Sequence, residues 1–155
     1  MVNNMRNYSN IRLKLEKIFQ SLEMEYSILE MEDDDLNYSI QINTVKKLKP
    51  LNSINGMLYL NGKDMSMNLI VGNIYKCDND DDLLSIYEII NQTNIRTNIG
   101  NFNLIGNSPK QIFYKSSVNC GYNFSDLNDE LVKLQLDIFT DALEKLLNSL
   151  KKISL

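Results

Sequence analysis

A chain of 155 residues with 43% hydrophobic content has enough apolar material for one core without disulfides or a structural metal, so residues 1–155 are expected to form a single domain. It contains no histidine, which excludes Ser-His-Asp and Cys-His nucleophile systems and imidazole-based zinc sites. A net charge of −4 works against phosphate backbones and anionic membranes, whose binding draws on clustered Lys and Arg, so neither nucleic acid nor membrane is an expected partner.

The stretch Met1 to Asn10 has no apolar signal core, and no run approaches the ~20 apolar residues of a membrane helix, so a cytoplasmic protein is expected. The abundance of Asn, Ile, Leu and Lys points to an AT-rich coding sequence, as in a low-GC bacterium or one of its phages. From Ser9 to Met24, Ile11, Leu15, Ile18, Phe19 and Leu22 recur at helical spacing, with Lys14, Glu16 and Lys17 on the other side. Two strands are read next, Glu25 to Met31 and Leu36 to Val45, joined by a turn at Asp33, Asp34 and Asp35.

Two further strands, Ile54 to Leu60 and Asp64 to Tyr75, flank Asn61-Gly62, the dipeptide best suited to a two-residue type I′ hairpin with positive φ at both positions. Asp80, Asp81 and Asp82 then precede Leu83, Leu84, Ile86, Tyr87, Ile89 and Ile90, placing carboxylates on the positive end of a second helix that ends near Asn94. Ile99 to Ile105 and Gln111 to Cys120 read as a second hairpin around Gly106-Asn107-Ser108-Pro109. The later strand puts Ile112, Tyr114, Ser116, Val118 and Cys120 on one face, and Gly100 marks a bulge or a close backbone approach.

Ser125 or Asp126 is the expected cap of a long third helix running to about Ile153, with Asp129–Lys133 and Asp141–Lys145 as ion pairs and Lys151 and Lys152 at its negative end. The order is therefore α-β-β-β-β-α-β-β-α, an α+β fold with an antiparallel sheet flanked by helices. On the second helix Asn91 and Asn94 share the side of Leu83, Ile86, Tyr87 and Ile90, where an unpaired amide is costly, so both are expected to bond neighbouring backbone and set the turn into Gly100.

The second helix closing in Glu88-Ile89-Ile90-Asn91-Gln92-Thr93-Asn94, the strand opening in Gly100-Asn101-Phe102-Asn103-Leu104, and the late strand leading to Ser125-Asp126-Leu127 give the segment from Asp80 to Ile153 a specific order. In that order it resembles the YbjN family, whose domain shares the fold of type III secretion chaperones. The resemblance covers about half the chain and contains no catalytic signature. It implies a noncatalytic binding or regulatory role, and the secretion chaperones of that fold are homodimers that hold an extended segment of a client.

Candidate sites divide into surfaces and decoys. Asp78, Asp80 and Asp82 imitate the first ligands of a calcium loop, but the sixth position is Leu83 and the twelfth Ile89, so helix capping is the better reading. Cys77 and Cys120 are isolated, and both are read as reduced thiols. Near Cys120 no histidine lowers the pKa and Asp126 would raise it, which makes it a core residue rather than a nucleophile.

Met57 and Tyr59 on one strand and Met65 and Met67 on the next, in line with Leu69 and Val71, form a thioether-rich group read either as core or as a partner-binding surface that repacks around a client. In the third helix Leu131, Leu134, Ile138, Phe139, Ala142, Leu143, Leu146 and Leu150 cover a sector wider than the ~100° stripe of a one-sided helix. Leu136, Leu143 and Leu147 are the candidates for a homodimer interface, against burial between the sheet and the first helix.

The expected function is noncatalytic binding of a segment of a protein client, as a chaperone-like or regulatory homodimer, with no cofactor. Two alternatives stand beside it. One is an immunity or inhibitor protein whose acidic clusters, Asp33 to Asp35 and Asp78 to Asp82, neutralise a basic toxin or nuclease. The other is an enzyme using carboxylates alone, with magnesium.

Overall fold

The computed structural model describes residues 2–29, 35–43, 53–106 and 109–153. Its elements follow the expected order: α1 (Val2–Ser21), β1 (Tyr26–Ile28), β2 (Asp35–Asn43), β3 (Ser53–Asn61), β4 (Ser66–Cys77), α2 (Leu83–Ile95), β5 (Asn101–Ile105), β6 (Lys110–Asn119) and α3 (Asp129–Lys151), with short 3-10 turns before α2 and α3. The strands form one sheet in the order β1-β2-β3-β4-β6-β5, every neighbour antiparallel. The fold is α+β, as the pattern of elements implied.

All three helices lie over one face of that sheet. Strand alternation supplies the floor: Leu36, Tyr38 and Ile40 of β2, Leu58 and Leu60 of β3, Met67, Leu69 and Val71 of β4, Ile112 and Tyr114 of β6, and Phe102 of β5 are all buried. Phe19 of α1 packs its ring against Tyr38 at 5.3 Å and Tyr26 at 5.0 Å, and Phe139 of α3 lies 4.7 Å from Tyr114. Both helices are thereby located by aromatic contacts that a strand surface alone could not specify.

The β3–β4 hairpin forms, but its turn differs from the type I′ expectation. Asn61 pairs with Ser66, leaving a four-residue loop, and positive φ falls on Met65 at 55° rather than on Asn61 or Gly62. Local and tertiary bonds favour the longer loop. Asn61 Oδ1 accepts the Lys63 N–H at 2.9 Å, Asp64 Oδ1 accepts the Ser66 N–H at 3.1 Å, and the Met65 carbonyl accepts the Cys120 N–H at 2.8 Å.

The caps are also reassigned. Asn79, not one of the three aspartates, accepts from the Asp81 N–H at 3.1 Å, and Asp82 makes no side-chain cap bond to α2. Asp80, Asp81 and Asp82 still occupy the positive end of the turn. Asn128 rather than Ser125 or Asp126 caps α3, accepting from Leu131 N–H at 2.8 Å, because residues 122–124 form a 3-10 turn that moves the helix start downstream. Neither expected ion pair on α3 closes. Among the described residues the ion pair is Arg12–Glu16 at 3.0 Å, and Asp129 instead accepts the Ser21 hydroxyl at 2.6 Å, tying the end of α1 to the start of α3.

Asn94 behaves as expected and Asn91 does not. Asn94 Oδ1 accepts the Phe102 N–H at 2.8 Å while its Nδ2 donates to the Phe102 carbonyl at 2.9 Å, so one side-chain amide completes both backbone groups on the outer edge of β5. Asn91 is exposed on the far side of α2. Gly100, at φ 80°, is the close approach anticipated: an added Cβ would lie 2.6 Å from Tyr114 Cζ and 2.7 Å from Ser116 Cβ. The Tyr114 hydroxyl donates to the Ile99 carbonyl at 3.0 Å beside it.

Two stability changes follow. Gly100→Ala should lower unfolding stability by about 2 kcal/mol or more, since the left-handed backbone and the contact with Tyr114 both resist a methyl group. Asn94→Ala should cost about 1–3 kcal/mol through two orphaned backbone groups, whereas Asn91→Ala should change stability by less than about 0.5 kcal/mol. Urea denaturation of the three variants distinguishes them, and equal effects at positions 91 and 94 would contradict the edge assignment.

Candidate functional site

The second face of the sheet carries no helix. Its register brings Tyr59 opposite Asn68, Met57 opposite Ile70, Ile70 opposite Lys115, and Asn103 opposite Phe113. Around them stand Asn37, Ser39 and Gln41 of β2, Asn55 and Asn61 of β3, and Ser117 and Asn119 of β6. Among the described residues Glu25, whose carbonyl accepts from Gln41, is the carboxylate at the margin of this face, and the side chain of Asp35 is not described. Its described cations are Lys76 and Lys115.

That composition has a physical consequence. Covering an amide or hydroxyl costs far less than covering an ionised carboxylate, and a partner's backbone can replace the water bonds of Asn, Gln and Ser. Met57, Tyr59, Ile70 and Phe113 are half-buried among the amides and offer adaptable apolar contact between polar anchors. Beside β1 the same face is indented by a depression of about 240 Å³, walled by Glu25, Ser27, Ser39, Gln41 and Asn55.

The four residues expected to form the partner surface are divided by the sheet. Met57 and Tyr59 point to the open face; Met67 is 0% exposed on the helix-covered face, opposite Val118 and beside Leu60. Parity is the reason: around a loop with an even number of residues, odd-numbered positions pair with even-numbered ones, so Met57 and Met67 point opposite ways. Met65 sits in the turn, half-buried, where its sulfur accepts the Asn123 N–H at 2.9 Å.

The proposed dimer residues of α3 are likewise separated. Leu143 is 0% exposed in the core, so it offers nothing to a second subunit. Leu136 and Leu147 are half-buried, Leu136 lining a cavity of about 200 Å³ with Leu22, Met24 and Ile42 between Lys133 and Asp137. The wide apolar sector of α3 meets the sheet below and α1 and α2 on its flanks, while Leu134 at its margin is 49% exposed.

Cys120 is fully buried, and burial pushes its thiol up to about 11, with Met67 backbone opposing and Asp126 adding to the shift. It is a core residue, as is Cys77. Among the described residues no three His, Cys, Asp or Glu side chains converge as a metal-ligand group. Of the two acidic clusters, Asp78 to Asp82 is almost wholly exposed, with Asp82 half-buried, while Asp33 and Asp34 lie outside the described residues.

Gln135 was not singled out from the sequence. It is 1% exposed under α3, where its Nε2 donates to Ser116 Oγ at 2.9 Å and to the Met67 carbonyl at 3.3 Å, while Oε1 has no partner among the described residues. Its signal was its position, four residues from both Leu131 and Phe139 on the apolar side of the helix.

No family model and no curated protein matches the chain. Among solved structures, that of YbjN from E. coli, a candidate transcription regulator, aligns with a TM-score of 0.48 at 9% identity, over 83% of this chain and 85% of that one. No helix among the described residues is long and apolar enough to cross a membrane.

Alkaline pH should weaken the fold through its buried hydroxyl and thiol groups. Burial raises the pKa of Tyr38, where Glu16 adds to it, and of Tyr114, in the same direction as Cys120. The folded state thus holds protons that the unfolded chain releases. The Cys120 contribution is whole below its ordinary value of 9.0 and is lost as pH rises toward about 11. Melting temperature should be flat near neutrality and fall above about pH 9, less steeply in Cys120→Ala; an unchanged melting temperature through pH 10.5 would contradict this burial.

Proposed function

We propose that this chain is a noncatalytic protein-binding domain of chaperone-like or regulatory type, which takes a segment of a partner protein on the uncovered face of its sheet. The observation that supports this reading is the separation of charge: most described carboxylates of a net −4 chain stay on helices and turns, with Glu25 at the margin beside β1, while the centre of the open face presents amides, hydroxyls, Met57, Tyr59, Ile70 and Phe113. A surface meant only to stay in water gains more from Lys, Glu and Asp than from unionised amides and thioethers. Among the described residues the centre of the face groups amides, hydroxyls and apolar side chains, which supports recognition by shape and hydrogen bonding.

The partner is sought by tagged capture from the source organism, followed by direct titration of the purified pair. Met57→Asp and Ile70→Asp, each placing a carboxylate in the centre of the face, should weaken that binding at least about tenfold while leaving thermal stability within about 1 kcal/mol. Hydrogen exchange should show partner-dependent protection along β3, β4 and β6. A partner whose affinity ignores both substitutions, or turnover of a small molecule abolished by changing one acidic residue, would refute the reading.

A further inference from the structure

The two edges of the sheet are finished differently. At β5 the outward N–H and C=O of Phe102 are both taken by the Asn94 side chain, so that position cannot recruit another strand. At β1 the bonds to β2 run through Leu29, whose N–H donates to the Asn37 carbonyl at 3.0 Å, and through Glu25, whose carbonyl accepts the Gln41 N–H at 2.9 Å. Antiparallel ladders alternate, so Ser27 also faces β2, opposite Ser39, and the N–H and C=O of Tyr26 and Ile28 point away from the sheet. Among the described residues nothing accepts from or donates to these outward groups.

Side chains on this strand are open as well. Ile28 is 44% exposed and Leu29 37%, an unusual pair for an edge strand, where natural sheets place lysine, proline or a bulge to deter pairing. None of the three occurs between Tyr26 and Leu29, and the protection this edge has is the shortness of its three-residue strand.

We propose that β1 pairs antiparallel with β1 of a second copy of this chain, joining two six-stranded sheets across a two-fold axis at Ser27. One register fits a two-fold and uses every free group. Tyr26 faces the partner subunit's Ile28 and Ile28 faces the partner subunit's Tyr26, so each residue exchanges both of its backbone bonds and none of the outward groups of the strand is left over. Ile28 is then covered by a tyrosine ring from the neighbouring strand. Glu25 falls opposite the partner subunit's Leu29, so the two Glu25 side chains are not directly opposed; direct opposition of like charges is what would disfavour a self-pair. The interaction is independent of the partner-binding face: the seam lies at the sheet edge, and it would make the two open faces continuous.

The test uses a substitution that removes one outward N–H without touching the fold. Because the Ile28 amide points away from β2, Ile28→Pro deletes no internal bond. Wild-type protein, followed by sedimentation velocity from about 10 to 500 µM, should show a concentration-dependent dimer. Ile28→Pro should raise the dissociation constant at least about tenfold, and Ile28→Lys, which retains the amide and adds a charge at the seam, should weaken the dimer as well. Hydrogen exchange of the Tyr26 and Ile28 amides should slow as protein concentration rises, while that of Phe102, held by Asn94, should not change. A strict monomer throughout that range, or a dimer of unaltered affinity in a folded Ile28→Pro protein, overturns the proposal; so does a dimer that protects α2 or α3 instead of β1.

Discussion

Three helices share one face of a six-stranded sheet, and the molecule's other properties depend on that one-sidedness. A strand exposes alternate side chains on opposite faces, so each strand here must supply an apolar row below the helices and a row that tolerates water. The first row is continuous from Phe102 through Tyr114, Leu69, Leu58 and Tyr38, and the aromatic contacts of Phe19 and Phe139 lock α1 and α3 onto it. The second row is largely polar, and amides fill much of it. A face held rigid by the core behind it, with its charges at Lys76, Lys115 and Glu25 and uncharged side chains between them, can be covered there at little cost in ion desolvation.

Polar bonding inside the core is spent on placement. Gln135 spans from α3 to the hydroxyl of Ser116 and the backbone of β4, which sets how the helix sits along the sheet even though its Oε1 finds no partner among the described residues. Such a half-satisfied amide is costly relative to leucine, so its contribution is to the uniqueness of the packing rather than to its strength. Nearby, the absence of a side chain at Gly100 lets the chain pass over Tyr114, whose hydroxyl closes onto Ile99, and Asn94 then meets β5 in the right register. The α2–β5 corner is thus one assembly of a glycine, a tyrosine and an amide.

The edges show how the same bonding rules leave a difference between two ends of one sheet. A side-chain amide has the donor and acceptor of a peptide group, and at β5 it substitutes for a missing strand. At β1 the strand is short and its outward groups remain with solvent, flanked by exposed Ile28 and Leu29. Shortness limits the number of bonds any added strand can make, so pairing there is reversible in character and sensitive to single changes.

By itself the sequence determined the element order, the alternation of side chains along the strands, Gly100 as the site of a bulge or a close approach, and the reading of Cys120 as core, because period, turn chemistry and the absence of histidine are local properties. The opposite orientation of Met57 and Met67 was present in their numbering and follows from strand parity alone. Tertiary structure decided the rest. The cap of α3 moved to Asn128 because the preceding residues were drawn into a 3-10 turn; the β3–β4 loop lengthened because the Met65 carbonyl found Cys120; and Leu143 became core because α1 and α2 flank α3. Which face stayed open, and which edge was sealed, depended on partners distant in the chain, and no local pattern records where a helix will land on a sheet.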